Sequence, residues 1–69
     1  MYEATVIINN EAATISAPTI ETMYSIIFFL NANVYVKGTL VKAAFSTAPD
    51  GTLFAGYTVG GLRALYERA

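Results

Sequence analysis

The opening alternation of this chain is its strongest constraint on folding. Tyr2, Ala4, Val6 and Ile8 alternate with Glu3, Thr5, Ile7 and Asn9, the period-two pattern of a strand with one face more apolar than the other. Asn9-Asn10-Glu11 follows at once, and Asn tolerates the left-handed backbone that a tight hairpin requires. The pattern predicts a hairpin whose returning strand runs from Ala12 to Ala17, with Ala13, Ile15 and Ala17 facing inward.

Pro18-Thr19 ends that strand, and Thr19 is placed to cap a helix by accepting the amide of residue 21 or 22. Ile20, Met23, Tyr24, Ile27 and Leu30 recur at helical spacing, which predicts a helix from Ile20 to about Asn31 in preference to a buried strand across Ser25 to Leu30. Ile26 and Phe29 add apolar surface beside the main stripe, more than a helix lying on one small sheet needs.

Val34 to Phe45 is rich in β-branched and aromatic residues, but its apolar phase changes. Val34, Val36 and Leu40 hold even positions, while Val41, Ala43 and Phe45 hold odd ones. Gly38 stands at the change, where a bulge or a tight Lys37-Gly38 turn would switch faces. One long bulged strand is the expected form. Ala48-Pro49-Asp50-Gly51 then carries a strong turn signal and predicts a hairpin pairing Thr39–Ser46 with Thr52–Thr58. Thr58 caps a final helix whose Leu62, Leu65 and Tyr66 form a narrow apolar stripe.

The expected fold is α+β: residues 1–69 as one small domain, a four-stranded sheet from two hairpins with a central helix, in ββαββα order, and a short C-terminal helix. This order resembles the β-grasp arrangement, in which a helix crosses a four-stranded mixed sheet. The likeness is one of architecture and carries no function.

Composition removes several classes of function. Hydrophobic residues make up 55% of the chain and charged residues 13%, with a net charge of -1. Disorder needs the reverse balance, and duplex DNA binding needs a basic surface that is absent here. With no Cys there is neither a disulfide nor a thiolate metal site, which points to the cytoplasm by default. The longest apolar run, Ile26 to Leu30, is far below the ~20 residues of a membrane span. Met1-Tyr2-Glu3 lacks the basic start of a secretory signal.

Catalysis is not expected. The chain has no His, the commonest general base and metal ligand, and its carboxylates are scattered. No catalytic residue, cofactor or metal ligand is therefore assigned. A possible anion site is Gly60, Gly61 and Arg63, two open amides at a helix start with a cation nearby. The structural alternative is a tight turn of unusual dihedrals, with Arg63 paired to Glu67. Tyr35, Phe45, Phe54 and Tyr57, with Lys37 and Lys42, suggest a stacking platform for single strands, but no Arg on those strands supplies the charge for it. Neither a nucleic-acid nor a membrane partner is expected.

What remains is surplus apolar surface. A helix covers one sheet face, and the other would carry Thr5, Ile7, Ala12, Thr14, Ala44, Phe54, Gly56 and Thr58 unless the C-terminal helix folds over it. Small chains bury only about 60% of their unfolded surface, so part of the excess must lie outside. The chain reads as a non-enzymatic interaction module that associates with itself, through the sheet face around Ile7 and Phe54 or the helix side bearing Ile26 and Phe29. The alternative is a small inhibitor or regulator, of the kind phages and mobile elements encode, that docks on a host enzyme through the same surface.

Overall fold

The computed structural model describes residues 1–44 and 57–67. Its elements are β1 (Tyr2–Ile8), β2 (Glu11–Ala17), α1 (Ile20–Phe29), β3 (Asn33–Val36), β4 (Thr39–Lys42) and α2 (Val59–Glu67). The strands form one sheet in the order β2-β1-β3-β4. The α+β architecture is the expected one, with two hairpins, a helix between them and a short helix at the end. It differs from a β-grasp sheet in strand direction, because every ladder is antiparallel. After β2, helix α1 carries the chain past β1, so β3 runs in the direction of β2 and opposite to the strand between them.

Both hairpins close through two-residue turns with positive φ at each central position. Asn9 and Asn10 stand at φ 52° and 65° between the paired residues Ile8 and Glu11, a turn whose twist matches that of the strands it joins. Lys37 and Gly38, at φ 50° and 81°, occupy the equivalent place between Val36 and Thr39.

The second turn replaces the long bulged strand expected across Val34–Phe45. Val36 faces Thr39 across the turn, so the inward set passes from even to odd positions, which explains the phase change in the sequence. A bulge does occur, but at Val41: Leu40 pairs with Tyr35 and Lys42 with Val34, leaving Val41 without an opposite residue. As a result Val41 and Lys42 are both buried in succession. Thr39–Lys42 therefore pairs with β3. The hairpin expected around Ala48-Pro49-Asp50-Gly51 lies outside the described residues.

Thr19 caps α1 as expected, its hydroxyl accepting the Thr22 amide at 3.1 Å. The helix ends at Phe29, before the expected Asn31, because Leu30 turns to an extended backbone. Ile20, Met23, Tyr24 and Ile27 form its buried stripe. In α2 the Thr58 hydroxyl accepts the Gly61 amide at 3.1 Å, and Leu62 and Leu65 are buried. Gly60 and Gly61 do not adopt the unusual dihedrals expected of them; Gly38 is the positive-φ glycine among the described residues. A Cβ on Gly61 would come within 3.2 Å of the Tyr57 ring, so this glycine admits a close approach.

Ala4, Val6 and Ala17 from the first hairpin, Val34, Val36 and Val41 from the second, and the buried stripes of both helices form one apolar cluster. Both helices thus lie on one side of the sheet. The C-terminal helix does not close the other side. Arg63 pairs with Glu21 of α1 and not with Glu67, linking the two exposed helix surfaces.

Neither helix has a basic residue in its last turn, and the second hairpin supplies one to each. Lys42, only 3% exposed, extends its ammonium to the end of α1, donating to the carbonyls of Ile27 (3.0 Å), Phe28 (2.7 Å) and Leu30 (2.6 Å). These carbonyls lie at the helix end, where the i+4 amides of the ladder run out and Ile27 keeps only a bond from the Leu30 amide, and the macrodipole favours a cation there. Lys37 donates to the Tyr66 carbonyl of α2 at 2.9 Å from an exposed position.

Candidate interaction surface

The inward assignments of the strands define what their other side displays. Because Ala4 and Val6 enter the core, Glu3, Thr5 and Ile7 of β1 point outward. The ladders place Ser16, Thr14 and Ala12 beside them on β2, and Tyr35 and Asn33 beside Thr5 and Ile7 on β3. Leu40 stands next to Tyr35 and is 39% exposed. The resulting face carries one carboxylate, Glu3, among small, hydroxyl-bearing and apolar side chains.

Ile7 is half-buried on this face between Ala12 and Asn33. Phe54, its expected companion, lies outside the described residues. The second candidate surface is divided by the structure. Ile26 packs against the core, whereas Phe29 is 81% exposed and touches the Phe28 ring edge-to-face at 5.0 Å. Phe29 is therefore a single apolar projection at the end of α1, and Ile26 and Phe29 do not form one exposed patch.

Two of the three donors of the candidate anion site are engaged. The Gly61 amide is held by Thr58, and the Arg63 guanidinium by Glu21. The suggested stacking platform is likewise dispersed. Tyr35 lies on the outer face, Tyr57 packs against the core, and Lys42 is beneath the end of α1. Phe45, also assigned to it, lies outside the described residues.

One end of the sheet has an arrangement that sequence reasoning did not find. The Tyr66 hydroxyl donates to the Glu3 carbonyl at 2.8 Å, its ring meets that of Tyr2 edge-to-face at 5.1 Å, and its own carbonyl holds Lys37. Burial, with the Glu3 carboxylate nearby, pushes the Tyr66 phenol up to about 12. The sequence signal was present in Tyr66 as part of the α2 stripe, but nothing local indicated its partner 63 positions away.

The edge formed by β2 was also not anticipated. It is the outermost strand, seven residues long, and its ladder with β1 runs without a bulge. From Ala12 to Ala17 it has no charge and no Pro. Ile8 and Glu11 exchange bonds across the two-residue turn, and bonded pairs then alternate with unbonded ones along an antiparallel ladder. Glu11, Ala13, Ile15 and Ala17 thus direct their backbone groups at β1, and Ala12, Thr14 and Ser16 direct theirs away from the sheet.

Among the described residues no cluster of His, Cys, Asp or Glu is arranged to hold a metal ion, and no helix is long and apolar enough to cross a membrane. No protein-family model, curated protein or solved structure matches this chain.

Proposed function

We propose that this chain is a non-catalytic interaction module that works as a self-associated assembly, in the cytoplasm, joined through its four-stranded sheet. The observation supporting this reading is the placement of both helices on one side. The other side keeps Ile7, Tyr35 and Leu40 among small side chains, with Glu3 the one carboxylate on that face among the described residues. A low-charge sheet surface of this kind is a normal site of protein contact.

Sedimentation velocity over the micromolar range tests the reading. The expected mass is that of two chains or more, and Phe29→Lys should leave it unchanged, since Phe29 lies at the far end of α1. A single-chain mass at every concentration would overturn self-association. Dissociation by Phe29→Lys would move the contact to the helix end.

A further inference from the structure

We infer that the assembly forms by antiparallel pairing of β2 with β2 of a second copy, edge to edge, giving one continuous eight-stranded sheet from two four-stranded ones. The inference rests on the self-association reading and names its contact.

The second copy is indicated by the symmetry of the edge. Ala12, Thr14 and Ser16 present the outward backbone groups, and they are evenly spaced about Thr14. When two such strands run antiparallel about a two-fold axis at Thr14, Ala12 meets Ser16 of the second copy, Thr14 meets its own equivalent, and Ser16 meets Ala12. Each of these residues then donates one N–H and accepts at one C=O, so every outward group of the strand finds a partner. This register uses the full strand; any shift along it leaves outward groups unpaired.

Side chains and charges agree with that register. Ala13 falls opposite Ile15 of the second copy on the helix side, and small side chains meet on the outer side, so nothing bulky separates the backbones. The strand's one charge, Glu11, falls opposite Ala17, which holds the two carboxylates at opposite ends. Parallel pairing in register would bring them together. The contact is isologous and closes on itself, giving a dimer and not a filament.

The other outermost strand of the described sheet is built differently. Strand β4 is four residues long and is bulged at Val41. Short length and a bulge are common ways of blunting a sheet edge. Strand β2 has neither.

Two variants test the inference in the full chain. Thr14→Pro removes an N–H that points away from β1, so the ladder within the monomer keeps its bonds while the edge loses its central donor. It is expected to weaken the dimer by more than about tenfold while far-UV circular dichroism is retained. Thr14→Cys places one thiol per chain at the two-fold axis, where paired Cα atoms lie ~5.5 Å apart, within reach of a disulfide. Mild oxidation should give a covalent dimer, and Ile7→Cys, one strand inward, should not.

Should Thr14→Pro fail to fold, the crosslink decides. A wild-type dimer that survives Thr14→Pro and leaves Thr14→Cys uncrosslinked would overturn edge pairing while preserving self-association. If Ile7→Lys also dissociates that dimer, the contact is between outer faces. A wild-type chain that is monomeric throughout would overturn both readings.

Discussion

The two helix ends solve one problem in different surroundings. At the end of α1 three carbonyls converge on the Lys42 ammonium, which is buried; at the end of α2 one carbonyl accepts from the exposed Lys37. Both lysines come from the second hairpin and approach helices that have no cation in their last turn. What differs is access to water. If Lys37 withdrew, water would satisfy the Tyr66 carbonyl. Lys42 is only 3% exposed, so water cannot readily take its place, and an unmade bond carries its full desolvation cost. The chemistry is shared, but its energetic weight is set by burial.

The comparison is most severely tested by Lys42→Ala, which deletes the ammonium and its buried stem. The expected loss is about 3–5 kcal/mol, comparable to removing one partner of a buried charge interaction. In a small domain that amounts to much of the total stability. Lys42→Met restores the stem but not the donors and should recover only part of the loss. Urea unfolding of the two variants separates packing from hydrogen bonding; a Lys42→Met protein as stable as wild type would show that the three carbonyls need no cation.

A smaller effect is expected at Tyr66, which fastens α2 to β1. Tyr66→Phe keeps the ring against Tyr2 and removes the bond to the Glu3 carbonyl, at a cost of about 1 kcal/mol at neutral pH. The phenol's pKa is raised in the fold, from 10.0 to about 12. Its contribution is therefore complete below pH 10.0 and is lost as the pH rises through about 12. Burial lowers the pKa of Lys42, so ionisation of that group acts in the opposite sense, favouring the fold as pH rises toward 10.5. Tyr66→Phe should flatten the alkaline loss of stability, and Glu3→Gln should lower the phenol's titration point, read by its absorbance. An unchanged titration in Glu3→Gln would remove the carboxylate from the account.

Lys37 should give the smallest effect and the sharpest contrast. Lys37→Ala is expected to cost under about 1 kcal/mol, as for other exposed polar contacts. Lys37→Asn gives up the same tether but suits φ 50° better, so it should be the more stable of the two. Equal thermal midpoints for the Ala and Asn variants would mean that the turn conformation contributes nothing.

The first hairpin and both caps were legible because their signals are local. Asn9-Asn10, Thr19 and Thr58 act on backbone groups within three residues of themselves. The second hairpin was misread for an equally local reason. Lys37-Gly38 offered a turn, yet Lys is an unusual residue at positive φ, and the long β-rich stretch favoured continuity. The phase change was the better guide, since only a turn or a bulge could produce it, and the chain uses both.

The surface was less legible. Sequence patterning identified Ile7, Thr5, Ala12 and Thr14 as outward residues, because period-two alternation assigns faces without reference to neighbours. It could not say that α2 joins α1 on the inner side, nor that Ile26 turns inward while Phe29 does not. Those outcomes depend on how two helices share one sheet.

The amino-acid sequence by itself determined the alternation of strands and helices, the first turn, the helix starts and many of the inward residues, all consequences of backbone preference and short-range periodicity. Tertiary structure alone decided the strand order, the partners of Lys42, Lys37, Arg63 and Tyr66, and the placement of β2 as an outermost strand. Each of these joins groups far apart in the chain, where no local pattern fixes distance and where burial, which only the assembled fold creates, sets the strength of every polar contact.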